Sequence, residues 1–218
     1  NAVDPFTTLD QYGADAVRWY MISNASPWDN LKFDAEGITE VQRKFFRALF
    51  NTYNFFALYA NIDGYDGKGE ATLTESDRWV LSRLNSVMKV ADTNYGDYEP
   101  TIAARTIQDF VVEDLSNWYV RRGRERFWGK GMDDTKEAAF TTLYTVLTTL
   151  ARLIAPFMPF MSEDLYQNLV RSVDADALES VHLCLFPTAD ESLIDESLND
   201  QMESLLGVVS LGRACRNA

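Results

Sequence analysis

Residues 121–130 carry five cations, Arg121, Arg122, Arg124, Arg126 and Lys130, against the single carboxylate Glu125. That is a local charge of +4 in a chain whose formal net charge is −13. Trp118, Tyr119, Phe127 and Trp128 are interleaved with these cations. Arginines alternating with aromatic rings suit a single-stranded RNA loop, whose phosphates take up the charge and whose unstacked bases lie against the rings. A second account fits the same residues: the aromatics are core and the arginines pair with neighbouring carboxylates. Another set, Lys44, Arg47, Asn51 and Asn54, falls at i, i+3, i+7 and i+10, the spacing of one helix face. Amides can donate to and accept from base edges while cations position a phosphate backbone. Solvated surface is the plain alternative.

Bond-making chemistry finds less support. The only histidine, His182, stands in an otherwise apolar stretch with no nucleophile beside it, and it is read as structural. Gly64, Gly67 and Gly69 lack the lysine and helix opening of a nucleotide cradle, so they mark a turn. Asp109, Glu113 and Asp114, like the acids of 190–203, are read as solvated faces, and no catalytic residue is assigned. Two cysteines, Cys184 and Cys215, are too few for a disulfide framework or a zinc site and fit a reducing, cytoplasmic setting. The net charge argues against broad binding to nucleic acid, DNA included, so any RNA contact is local. The longest apolar region, 143–161, is broken by Arg152, Pro156 and Pro159 and cannot span a membrane. The N-terminus has neither a signal-peptide pattern nor an initiating methionine, so the sequence reads as cut from something longer.

These residues need elements to hold them. Asp4-Pro5 predicts the start of a short helix closed by Gly13, with a second over Ala14 to Met21 and a loop at Ser26, Pro27 and Asp29. Val41, Phe45, Leu49, Tyr53, Phe56, Ala57 and Ala60 predict a long helix from about Ile38 to Ala60. A loop follows over 63–69. Thr74 and Asp77 resemble a capping box ahead of the stripe Val80, Leu84, Val87 and Ala91. A third helix is expected over Thr101 to Trp128, with Ile107, Phe110, Val111, Leu115 and Trp118 inward, and a fourth over Asp134 to Ile154. Phe160 to Val170 reads as a shorter helix, Val181 to Phe186 as extended, and a last helix begins near Ser192. The fold class is all-α, an antiparallel helical bundle.

Several runs resemble class I aminoacyl-tRNA synthetases of the isoleucine, valine and leucine branch. The segment from Tyr12 to Tyr20 is similar to the one following their catalytic signature loop, and Asp77 to Leu84 to the start of their second bundle helix. Leu115 to Arg122, running into Arg124, Arg126, Phe127 and Trp128, resembles the isoleucyl members in particular, through the doubled arginine after the aromatic pair. Ala155 to Met161, and Ser180 to Leu183 with Phe186-Pro187, follow the same pattern. The resemblance implies an anticodon-binding bundle over 36–187, a link from the catalytic domain over 1–35, and the start of a C-terminal junction region over 188–218. It also implies two partners, the anticodon arm of isoleucine tRNA and the catalytic domain of the same polypeptide. The adenylate-forming signatures His-x-Gly-His and Lys-Met-Ser-Lys are missing, so ATP and magnesium belong to the parent enzyme and no cofactor to this stretch.

Overall fold

The computed structural model describes residues 3–217, and every regular element among them is a helix. Helix α1 (Pro5–Tyr12) begins where expected. The Asp4 carboxylate accepts from the Thr7 amide at 2.9 Å, and Pro5 fills a first-turn position that needs no N–H. Gly13, at φ +80°, turns the chain into α2 (Ala14–Asn24).

Helix α3 runs over 35–63, its parts Ala35–Val41 and Arg47–Asp63 joined by a π-helical turn, Gln42–Phe46. It starts ahead of the predicted Ile38 because Asp34 caps it, accepting from the Glu36 amide. Left-handed Gly64 stops it. The following loop crosses the fourth long helix, where Gly67 and Gly69 lie so close to Tyr144 and Thr141 that a Cβ would meet them at 2.8 and 2.6 Å. Helix α4 (Glu75–Gly96) opens on the expected capping box of Thr74 and Asp77. Helix α5 covers 100–128, as Pro100–Asp109, a π-helical stretch Phe110–Val120, and Arg121–Trp128. Helix α6 (Asp134–Ile154) has the predicted limits. Helix α7 covers 159–171.

Two expectations need correction beyond this point. The stretch expected to be extended forms a 3-10 turn, Val181–Leu183, because Ser180 caps it by accepting from the His182 amide. The last helix, α8 (Glu196–Asn217), begins after Ser192 because Asp190 and Asp195 first cap a 3-10 turn and then α8 itself.

Helices α3 to α6 form the bundle, with α5 packed on α3, α4 and α6. The core is mostly aliphatic and aromatic, including Phe45, Leu49, Leu84, Phe110, Leu115, Phe140 and Leu147. Trp19 of α2 stacks on Phe45 with centroids 4.3 Å apart, which fixes α2 across the bundle. Helix α8 seats on α4 through Leu198 and through Asn199, whose Oδ1 accepts from Ser82.

The π-helical stretch of α5 decides which residues face out. A strict period of 3.6 would carry the inward stripe from Leu115 and Trp118 to Arg122. Bonding of i to i+5 widens the turns instead, and the buried positions become Trp118, Tyr119 and Val120, then Phe127. Arg121, Arg122 and Arg124 are thereby exposed and Gly123 is half-buried.

Candidate nucleic-acid interface

The cationic run of α5 sits at the end of the bundle where α4 and α6 begin and α3 ends. This tip is tied together by two buried charges. Asp77, fully buried, accepts from both terminal nitrogens of Arg126 at 2.8 and 2.7 Å and from the Tyr119 hydroxyl at 2.6 Å. The backbone amide and hydroxyl of Thr74 also donate to it. Two more Arg126 donors, on Nε and one terminal nitrogen, go to the Thr135 carbonyl, which joins α5 to α6. Lys136, also buried, donates to the Gly129 carbonyl at 2.8 Å and pairs with Asp63 at 2.7 Å, so the end of α3 is held as well.

This geometry sets the protonation states. Burial by itself would raise the Asp77 carboxyl, but hydrogen bonds from Arg126, Tyr119 and Thr74 outweigh it and hold the group below its ordinary value. The Tyr119 hydroxyl is driven up by burial and by the adjacent carboxylate.

The two accounts of the island therefore divide it. Trp118, Tyr119 and Phe127 are core, and Phe127 meets Phe55 of α3 and Phe140 of α6 at 5.1 and 5.2 Å. Arg126 faces inward to Asp77 and the Thr135 carbonyl, so its grouping with the outward cations is corrected: four hydrogen bonds hold it inside the fold. Arg121, Arg122, Arg124 and Lys130 are exposed, and among the described residues none is ion-paired to a carboxylate. The guanidinium of Arg122 lies 5.0 Å from the centroid of Trp118, which is itself 9% exposed. Trp128, 52% exposed, presents its ring beside these cations.

On α3, Lys44, Arg47, Asn51 and Asn54 are all exposed. The Phe55–Phe127 contact brings Asn51 and Asn54 level with the island. Lys44 lies roughly 16 Å back along the axis, at 1.5 Å per residue, and pairs with Glu40 at 2.6 Å. It lines a polar cleft with Arg105, Gln108 and Asp109 instead. Asn51 and Asn54 thus stand at the height of the island along the bundle axis, and Lys44 lies apart from it. His182 is exposed and its ring Nε2 contacts the Pro159 carbonyl.

What sequence reasoning missed is the role of α8. Leu206, Val209, Ser210 and Arg213 close a cleft of about 290 Å³ against Glu113, Asn117 and Trp118 of α5. The only signal was the half-apolar spacing of Met202, Leu206 and Val209, which says that α8 packs but not where.

The chain as a whole is similar to known proteins. Residues 77–218 match the family described as the anticodon-binding domain of tRNA ligase. The isoleucine–tRNA ligase of Bacteroides fragilis is 54% identical over 99% of this chain and 19% of its own length. That of Clostridium acetobutylicum is 48% identical over 100% of this chain and 21% of its own. The chain thus spans about a fifth of the length of the curated relatives it matches. The fold is similar to methionyl-tRNA synthetase of Mycobacterium tuberculosis bound by methionyl-adenylate (TM-score 0.64, 18% identity, 87% of this chain and 40% of that one). It is also similar to an Agrobacterium radiobacter ternary complex of LeuRS, tRNA and LeuAMS (TM-score 0.62, 20% identity, 89% of this chain and 22% of that one).

Proposed function

The chain belongs to the family of anticodon-binding domains of tRNA ligases, and on that footing we propose that it grips the anticodon arm of isoleucine tRNA within an isoleucine–tRNA ligase. The observation that carries this reading is the set of outward cations at the bundle tip, Arg121, Arg122, Arg124 and Lys130, inside a chain of net charge −13. Diffuse attraction for polyanions is absent from such a surface, so only an RNA that seats on these cations gains from binding. Trp128 offers a ring to a splayed base, and Asn51 and Asn54 offer amides to base edges. Arg47, and more remotely Lys44, hold the phosphate backbone. Trp118 acts through the Arg122 it supports, and Arg126 acts through the island it anchors.

On the same reading the whole protein joins isoleucine to its tRNA with ATP and magnesium in the cytoplasm. Residues 1–35 link to the catalytic domain, and 188–218 begin the region beyond the bundle. The adenylate-forming signatures are missing from this stretch, so on this reading the ATP chemistry belongs to the rest of the polypeptide. None of the described helices is long and apolar enough to cross a membrane. The catalytic domain has a suitable seat at the other end of the molecule. There Leu9, Met21 and Phe33 line an apolar cleft of about 640 Å³, and Phe6 and Trp28 are exposed.

The test is competition between hairpins carrying isoleucine, valine and methionine anticodons for the purified chain, at low and near-physiological salt. Preference for the isoleucine hairpin, with affinity falling steeply as salt rises, is the expected result. Equal competition by all three at both salts would reduce the tip to a nonspecific RNA surface. Absence of RNA binding with retention of a protein partner would favour a protein-docking module.

A further inference from the structure

The cleft between α5 and α8 combines features that no phosphate site needs. Its inner wall is Trp118, with the Arg122 guanidinium over the ring, and its outer wall is the apolar side of Leu206 and Val209. Glu113 and Asn117 stand on α5 one turn apart, and the Asn117 amide donates to Glu113 Oε2 at 3.2 Å. That bond steadies the carboxylate and leaves Oε1 and the second lone pair of Oε2 free to accept. Arg213 of α8 completes the lining. A volume of about 290 Å³ admits one flat ring system rather than a helix or a peptide strand.

The charges select the occupant. Glu113 repels a phosphate. Arg122 and Arg213, with the +4 island beginning at Arg121, repel a cationic side chain that would otherwise suit an acid beside an aromatic ring. A nucleobase satisfies both conditions, because its strand is anionic while its edge can be rich in donors. Given the RNA reading above, on which this rests, we propose that the cleft receives one unstacked base and that Glu113 selects a base presenting hydrogen-bond donors on its edge. Guanine fits best, since its ring N–H and amino group lie side by side and can be met by one carboxylate. Uracil fits worst, since its ring N–H is flanked by two carbonyl oxygens that a carboxylate repels. Arg213 holds the phosphate of that nucleotide.

The experiment uses hairpin RNAs identical except at one loop position, occupied in turn by guanine, adenine, cytosine or uracil, titrated against the 218-residue chain. One loop position is expected to favour guanine over uracil by roughly tenfold, the low end of the discrimination a two-point hydrogen bond to a base edge provides. Glu113→Gln should collapse that ratio, chiefly by improving binding of the uracil hairpin. Ser210→Trp, which fills the cleft from α8 without touching Glu113, should abolish it as well. Arg213→Ala should weaken all four hairpins alike. Both Glu113 and Ser210 are exposed, so an unchanged unfolding midpoint accompanies the expected result. Guanine preference that survives both Glu113→Gln and Ser210→Trp, or its absence at every position, overturns the cleft while the anticodon-arm reading stands. A wild-type chain that binds no hairpin overturns both.

Discussion

The tip of α5 and the outer face of α3 both offer cations and amides to solvent, but they are supported differently. Behind Arg121, Arg122 and Arg124 lies a buried carboxylate that fixes Arg126, Tyr119 and the starts of α4 and α6. Behind Asn51 and Asn54 lie Leu49, Thr52 and Phe56, and among the described residues no ion pair braces them. An exposed charge on a braced helix keeps its position when a ligand pulls on it. An exposed amide contributes mainly by which edge it accepts. The two regions are therefore suited to different parts of recognition, the first to seating the RNA and the second to reading it.

The largest expected effect comes from removing the brace. Asp77→Ala leaves the largely enclosed Arg126 without its counter-charge and should cost about 3 kcal/mol of unfolding free energy, measured by urea denaturation. A loss under about 1 kcal/mol would mean that the tip is no better braced than ordinary surface pairs. The same site gives a pH test. Because the folded Asp77 carboxyl is held below its ordinary value, its contribution is fully present above the unfolded value of about 4 and is lost as pH falls through the lower, folded one. Wild type should therefore show an acid destabilisation that Asp77→Asn lacks.

Next in size is the loss of a seating charge. Arg122→Ala should weaken every hairpin and reduce the salt slope by roughly 0.7, the value for one contact to a single strand, without lowering the urea midpoint by more than its exposed position allows. Unchanged affinity for all hairpins would remove Arg122 from the seating surface. Asn51→Ala should leave the slope intact and narrow the gap between isoleucine and noncognate hairpins. If Arg122→Ala and Asn51→Ala shift all RNAs by the same factor, the division between seating and reading disappears.

The smallest effect sharpens the comparison from within α5. Gly123 is helical, and a Cβ there would meet nothing within 4 Å. Gly123→Ala should therefore stabilise the chain by about 0.5–1 kcal/mol. RNA affinity should hold or rise if the tip works as a rigid seat, whereas a loss of affinity alongside the gain in stability would point to a tip that must bend.

Much of this fold was legible in local patterns. The Thr74–Asp77 box, Pro5, Gly13 and Gly64 act within a few residues of themselves, and the α6 stripe from Phe140 to Ile154 is regular enough to fix both ends of its helix. The density of arginines and rings at 118–130 was equally plain. It could not say which arginine turns inward, because Arg126 is selected by Asp77, 49 residues away in sequence, and by the π-helical widening of α5 that slides the stripe past Trp118. A period read at 3.6 per turn has no means of anticipating that slip. Nor could it place α8 over Glu113, since the contact depends on Asn199 and Leu198 docking on α4. Composition and periodicity determined that the chain is a helical bundle with a cationic end. The long-range packing of α4, α5 and α8 decided which of those charges are structural and which remain available to a ligand.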